Sequence, residues 1–581
     1  MSERRYALLI RSALDDAKSR GLGQICVAMT ETLPIEEIDG WLGHPMVAGL
    51  VHKDDPRHSQ LPADRLDDPR LGFYQAPGRW QLPQTAAPIY FLGSWRRITP
   101  AMLIAAIRRN ISGLSVRCGP LWLKLPLALA ARAGRLIRQA VAAMRPTDSE
   151  AFDRLLRNAK PVSAEPGAPI VFVCPNLSPG GAERQVMYTV LGLHRSGAPV
   201  QLLCDLLLPD HSARYDFFLP PLLEAGVPVR AIRMPVADEV GAAQGLPPEL
   251  AAATSLPMGL RVDIANLYLE FRALKPAVVH AWLDWSNIRA GLAAALAGVP
   301  KIVISGRNLN PRHFAFYRSY MEPAYKALCG LPNVVFLNNS EAGATDYAAW
   351  LAMPPSRIRV IRNALDFGAA GRAGPDARAA FRARYGISRG ALLIGGAFRL
   401  YPEKNPLLWV EAAAKVARQC ATANFIIFGQ GVLHGEVEAL IGKLGLTDRF
   451  SLPGVTDDPL TAISAMDVFL LTSYSEGLPN AVIEAQWVGT PVVATEAGGT
   501  REAVDPGRTG WIVDRPSPDA VATAVLHLLD NPELREACET LGPDFVRRQF
   551  DMDRMISETV NVYGLEAFRV SRASPLSIEQ A

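Results

Sequence analysis

Short runs of apolar, largely β-branched residues alternate with helix-length segments from Pro169 onward, and this alternation restarts after residue 374. Pro169-Ile-Val-Phe-Val-Cys174 is followed by a Gly-rich loop at 178–181 and by a helical period over Glu183–Arg195. Val200–Asp205, Ala277–His280, Lys301–Ser305 and Asn333–Asn338 continue the series. Runs this short and this uniformly apolar are buried on both faces, and helices between them supply the crossovers that parallel strands need. The Gly- and Ala-rich stretch 368–374 predicts a linker. Beyond it the runs beginning at Ala391, Asn424, Phe450, Val468 and Pro491 predict a second sheet. The expected fold class is α/β, with two doubly wound domains over 166–368 and 369–550 that face each other across a cleft at their strand C-termini. A helix over 551–569 is expected to cross back to the first domain, followed by a disordered tail at 570–581.

Residues 1–165 fit neither sheet. Tyr6–Arg20 has helical periodicity and Gln24–Met29 suits a strand, but Pro and Gly punctuate 42–120 and no topology follows. The region is distinctive in charge. The chain of 581 residues carries +3 overall, yet residues 69–147 hold twelve Arg or Lys and no acid, so the remainder carries −9. Such asymmetry points to an anionic partner. Over Leu121–Arg145, Lys124, Arg132, Arg135, Arg138 and Arg145 fall on one arc of a helical wheel, with an interruption at Pro126. Two explanations fit. One is an interfacial helix that puts residues 96–145 on an anionic membrane, and the other is a helix docked on its own protein with a solvated basic face. No nucleic-acid partner is expected. No apolar run reaches the ~18 residues of a membrane span, and the N-terminus lacks the organisation of a secretory signal. The seven scattered cysteines read as reduced core thiols. A cytoplasmic location is expected, peripheral to the inner face of the membrane on the first explanation.

The chemistry centres on Glu476-Gly-Leu-Pro-Asn-Ala-Val-Ile-Glu484. Pro479 favours a first helical turn, where its missing N–H costs nothing. Glu476 then lies before the helix and Glu484 in its second turn with its side chain directed back, so both can face one ligand. The free N–H groups and positive dipole at that helix start suit a diphosphate. A phosphate flanked by carboxylates that accept hydroxyl hydrogen bonds describes a nucleotide sugar.

The segment resembles the Glu-x7-Glu signature of retaining glycosyltransferases of the GT-B fold, family 4, and the resemblance extends over about residues 168–568. It implies that Arg399 and Lys404, in Phe398-Arg-Leu-Tyr-Pro-Glu-Lys404, contact the donor diphosphate and stabilise its departure. It further implies that Gly429 and Gly431 form a nucleotide-facing turn, and that Pro453, Gly454 and Val455 cup the base. Gly477, Leu478 and Asn480 line the donor site, Glu476 holds sugar hydroxyls and Glu484 the ribose. In the first domain, Gly180 and Gly181 belong to the Gly-rich loop, His280 matches the active-site His beside the transferred sugar, and Arg307 contacts donor or acceptor. Asp467 matches a structural acid. Asn363-Ala-Leu-Asp366 departs from the family pattern, with Ala where Gly is commoner. Asp551-Met-Asp553 reads as helix-capping acids, so no metal is expected. No cofactor is expected beyond the donor, with a UDP-sugar favoured over a GDP- or ADP-sugar. The resemblance implies transfer of a hexosyl or N-acetylhexosaminyl unit to a saccharide or polyprenyl-diphosphate-linked acceptor in surface polysaccharide synthesis. The alternatives are a glycoside hydrolase, which also uses two carboxylates, an epimerase of the same fold, and an inactive sugar-nucleotide-binding scaffold.

Overall fold

The computed structural model describes seven strands within residues 25–125 and, from 150 to 564, all residues but 208–213, 233–246, 254 and 369. The chain divides into two compact units, Met1–Pro146 and Thr147–Ala581.

The first unit contains a sheet of which the sequence announced one strand, that expected over Gln24–Met29. Its strands are β1 (Ile25–Met29), β2 (Val47–His52), β3 (Leu71–Gln75), β4 (Arg79–Gln81), β5 (Ile89–Leu92), β6 (Leu114–Cys118) and β7 (Leu121–Leu125), in the order β4-β3-β2-β1-β5-β6-β7. The five central strands pair in parallel, and β4 and β7 close the edges antiparallel. The expected helix over Leu121–Arg145 therefore does not begin at Leu121. Leu-Trp-Leu-Lys-Leu pairs antiparallel with β6, with Ser115 opposite Lys124. Lys124 thus leaves the basic arc, and Arg132, Arg135, Arg138 and Arg145 lie outside the described residues.

The second unit holds two parallel sheets. β8 (Ile170–Cys174), β9 (Val200–Cys204), β10 (Val229–Ala231), β11 (Val278–Trp282), β12 (Lys301–Ser305), β13 (Val334–Asn338) and β14 (Ile358–Val360) lie in the order β10-β9-β8-β11-β12-β13-β14. β15 (Leu392–Ala397), β16 (Ala423–Phe428), β17 (Phe450–Gly454), β18 (Val468–Leu471), β19 (Val492–Thr495) and β20 (Gly510–Val513) form the other, β17-β16-β15-β18-β19-β20. In each sheet the chain builds outward in one direction and then restarts on the other side of its first strand, so the order reverses between β8 and β11 and between β15 and β18. Ligands of doubly wound sheets bind at the strand C-termini beside such reversals.

Strand alternation divides the core of the first domain in two. Val171, Val173, Val279, Ala281, Ile302 and Ile304 face one helical layer, while Ile170, Phe172, Cys174, Val278, Trp282 and Val303 face the other. Each fully buried side chain of this kind contributes about 1.5–3 kcal/mol. The helix Ala151–Leu156 belongs to the first of these layers, with Phe152 fully buried, so the first domain takes in chain that was expected to belong to the N-terminal region. The second layer is completed by the helix Met552–Tyr563 from the end of the chain, which supplies Met555, Ile556, Val562 and Tyr563. It lies on the helix Gly181–Arg195, where a Cβ on Gly192 would strike the Ile556 side chain. Asp551 caps the Met552–Tyr563 helix by accepting from Arg554 N at 3.0 Å. No helix among the described residues is long and apolar enough to cross a membrane.

Candidate active site

The loops after β15 and β18 meet at the reversal point of the second sheet. From β15 the chain runs through Phe398–Lys404, and this loop is shaped by two glycines on its neighbour. A Cβ on Gly429 would overlap the Phe398 carbonyl and one on Gly431 the Leu400 carbonyl, and Gly429 also has φ +141°. In their absence the loops pair closely, with Phe398 N donating to Phe428 O at 2.9 Å and Leu400 N to Gln430 O at 3.0 Å. The two glycines therefore set the course of the segment that carries Arg399. Arg399 is exposed, with its guanidinium 5.1 Å from the Tyr401 ring centroid and 3.5 Å from Glu403. Lys404 turns inward. Its Nζ lies 2.5 Å from Glu476 Oε1, which also accepts from Ser473 Oγ at 2.6 Å.

Glu476 is 5% exposed, and its loop is clamped from both sides. A Cβ on Gly477 would meet the Arg307 carbonyl of the first domain, and Cβ atoms on Gly498 and Gly499 would meet the Glu476 and Gly477 carbonyls. Gly498 has φ +52°, which a side chain would also oppose. Gly498 and Gly499 were not anticipated from sequence; the Gly-Gly pair just after β19 was the available signal. Leu478 is buried in the second-domain core. The helix Asn480–Trp487 then begins, with Pro479 at its N-cap and Glu484 in its second turn.

Glu484 is 4% exposed and is ion-paired to Arg184, which comes from the first turn of the Gly181–Arg195 helix in the other domain. Burial raises the Glu484 pKa, and the Arg184 charge and hydrogen bond oppose that rise. Arg184 falls in the helical period over Glu183–Arg195, and the sequence alone gives it no role. Its neighbour Glu183 folds over Gly180, where a Cβ would overlap its carboxylate. Burial also raises the Glu183 pKa, and the charge of Arg399 lowers it. Gly181 is pressed against Asn480, whose Nδ2 donates to Gly181 O at 3.0 Å.

Arg307 stacks its guanidinium 4.1 Å from the Trp282 ring centroid and donates to Asn363 Oδ1 at 2.5 Å. Burial lowers its pKa to about 9, which leaves it cationic at neutral pH. Asn363 Nδ2 in turn donates to Leu478 O at 3.0 Å and Asn480 Oδ1 at 2.7 Å. Arg307, Asn363, Asn480 and Gly181 thus form a hydrogen-bonded chain that crosses between the domains and returns.

His280 stands apart from this group. Its position on β11 points it into the layer shared with Phe172 and Tyr563, not outward at the strand end. Nδ1 lies 2.8 Å from Tyr563 Oη and Nε2 2.7 Å from Ser305 Oγ. With the ring 1% exposed and both nitrogens taken, His280 presents neither to a ligand in this structure. Burial, and secondarily the Arg307 charge, hold its pKa well below 6.5.

At the outer side of the second sheet, Gly454 has φ +82° and accepts from Gly429 N at 2.8 Å. This turn carries Pro453 and the exposed Val455, and Val432 on the adjoining loop is exposed as well. Asp467 lies at the opposite end of β18, where Oδ2 accepts from Arg382 Nη2 and Leu393 N, each at 2.7 Å. A cavity of about 670 Å³ lined by Arg378, Arg382, Asp467 and Arg535 opens there, away from the groups gathered at the reversal point.

Two parallel α/β domains joined over a site of this kind define a GT-B glycosyltransferase. Residues 179–368 match the model of Glycosyltransferase Family 4, and residues 378–544 match that of the glycosyl transferases group 1. The chain belongs to the family 4 glycosyltransferases. It is 32% identical over 362 residues to the Vi polysaccharide biosynthesis protein VipC/TviE of Salmonella typhi, which is 58% of this chain and 61% of that protein. The chain thus spans less than two-thirds of that relative. It is 28% identical over 287 residues to the UDP-Gal:alpha-D-GlcNAc-diphosphoundecaprenol alpha-1,3-galactosyltransferase of Escherichia coli, 47% of this chain and 71% of that one. Anabaena Alr3699/HepE, solved in complex with UDP and glucose, covers 68% of this chain and 99% of its own with a TM-score of 0.56. At 19% identity, that likeness shows the fold.

Proposed function

We propose that the protein transfers a hexosyl or N-acetylhexosaminyl unit from a nucleoside diphosphate sugar to a saccharide or lipid-linked saccharide, with retention, in the synthesis of a bacterial surface polysaccharide. The observation that carries this reading is the meeting of Lys404 and Glu476 at the β15/β18 reversal, with Glu484 on the helix that follows. The diphosphate lies against Arg399 and Lys404 and the start of the Asn480–Trp487 helix, where cations and free N–H groups neutralise charge as it leaves. Glu476 accepts sugar hydroxyls and Glu484 ribose hydroxyls. Gly454, Pro453 and Val455 border the base, for which uracil is favoured.

In this mechanism the acceptor oxygen bonds to the anomeric carbon on the face from which the diphosphate oxygen departs. The acceptor proton passes to the departing phosphate, so no covalent nucleophile and no metal is required. His280, held between Tyr563 and Ser305, anchors the first domain and does not touch the sugar. The names of the Salmonella and Escherichia coli relatives support the polysaccharide and lipid-linked assignment. The acid-free stretch 69–147 supports a peripheral position on the cytoplasmic face of an anionic membrane, to be tested by sedimenting the full chain with anionic against neutral vesicles.

A thermal-shift screen of UDP-, GDP- and ADP-sugars tests the donor, because a ligand of the folded state raises apparent stability by about 2.7 kcal/mol at a hundred times its Kd. Sugar release to an acceptor, observed by NMR with the anomeric configuration kept and in the presence of EDTA, tests the rest. A screen with no responding nucleotide sugar rejects the reading.

A further inference from the structure

Two consecutive side chains of the first domain answer, with opposite charge, two groups of the second. Arg184 is ion-paired to the buried Glu484 carboxylate. Glu183 folds back over Gly180 and lies in the field of Arg399. Among the described residues, Arg184 is the one side chain that pairs with Glu484. The carboxylate is 4% exposed and has little room for a second partner.

We propose that Arg184 is a donor-recognition residue with two stations, on Glu484 when the site is empty and on the donor diphosphate once a ribose occupies Glu484. This rests on the transfer reading above. A ribose presents adjacent hydroxyls to a carboxylate much as a guanidinium presents adjacent N–H groups, so the two compete for one acceptor. A displaced Arg184 stays tethered to the first turn of the Gly181–Arg195 helix, the turn whose Glu183 lies in the field of Arg399. In the empty site Lys404 and Arg399 already have Glu476 and Glu403 as counter-ions, so the diphosphate is what offers a displaced guanidinium a new anionic partner, which a bare nucleoside lacks. A nucleoside must therefore displace Arg184 with nothing in return, whereas a nucleoside diphosphate gives the guanidinium a new partner. The ion pair would make the empty site select against ligands that lack the diphosphate.

The experiment compares the affinities of uridine and UDP by calorimetry in the full chain, wild type against Arg184→Ala, Arg184→Lys and Glu484→Ala, with guanosine/GDP or adenosine/ADP substituted if wild type binds one of those pairs instead. In Arg184→Ala the nucleoside is expected to bind at least about threefold more tightly and the diphosphate more weakly, so that their affinity ratio falls by about tenfold or more, the scale of a charge-assisted hydrogen bond. Arg184→Lys is expected to fall between, and it carries the test if the alanine variant fails to fold. Glu484→Ala is expected to weaken both ligands and to keep the ratio. An unchanged ratio in Arg184→Ala and Arg184→Lys, or weaker nucleoside binding in both, overturns the two-station role while the wild-type affinity leaves the transfer reading standing. Wild-type binding to none of the three pairs overturns both.

Discussion

His280 and Tyr563 stand 283 residues apart in the chain, yet Nδ1 and Oη are 2.8 Å apart in a layer from which water is excluded. The bond ties strand β11 of the first domain to the helix Met552–Tyr563, and Ser305 on β12 completes the anchor. Tyr563→Phe removes one hydroxyl and leaves an imidazole nitrogen buried without its partner. The expected cost is about 1–3 kcal/mol, measured by chemical denaturation. Because the pair lies away from Glu476 and Lys404, donor affinity should stay within about twofold of wild type.

The same imidazole makes stability depend on pH. Burial holds the folded-state pKa of His280 well below the unfolded value of 6.5, so the unfolded chain takes up a proton first as pH falls. The stability this neutral ring permits is complete above about pH 6.5 and is lost progressively from there down to the folded-state pKa. Melting temperatures at pH 7.5 and 5.5 should therefore diverge more in wild type than in His280→Gln, which has no proton to gain. Equal divergence would reject the assignment.

Lys404 and Glu476 are both largely buried, and they are each other's counter-ion. Glu476→Gln keeps the shape and loses the charge, and it should lower transfer by about a hundredfold or more while leaving a folded protein. Lys404→Ala strands the carboxylate, so it should cost more stability than Lys404→Ala combined with Glu476→Gln. A double-mutant cycle by denaturation reads this difference, and additive effects would contradict it.

Gly429→Ala puts a methyl into the Phe398 carbonyl at a φ of +141°, which side chains rarely adopt. Backbone strain of about 1–3 kcal/mol is expected, relieved by moving the Phe398–Leu400 strip and Arg399 with it. The measurable result is a lower melting temperature together with weaker binding of a nucleoside diphosphate. Gly435→Ala, where open space surrounds the new methyl in the first turn of the helix His434–Lys443, should lower neither the melting temperature nor the nucleotide affinity.

Much of the site could be read from local sequence because its parts sit at strand C-termini. Arg399, Lys404 and Glu476 follow recognisable apolar runs, and Glu484 follows from the helix that Pro479 opens. Beyond the strand over Gln24–Met29 the first-unit sheet was not legible, since its runs lie among frequent Pro and Gly and Leu121–Leu125 can be arranged on a helical wheel as readily as on a strand. A helix pattern and a strand pattern coincide over so few residues, and only pairing with β6 separates them. Arg184 was hidden for a different reason. Nothing in Gly180-Gly-Ala-Glu-Arg184 indicates that its partner lies 300 residues away on another domain.

The sequence by itself determined the two parallel sheets and the family, because short apolar runs, Gly turns and helix-start residues act over a few positions. Only the tertiary structure decided which face of β11 carries His280, that the Gly429 and Gly431 backbones make way for the Arg399 loop, and that Arg184 meets Glu484. Those outcomes depend on strand register, close approach of backbones and burial of charge between domains, and such interactions exist only once distant segments have been brought together.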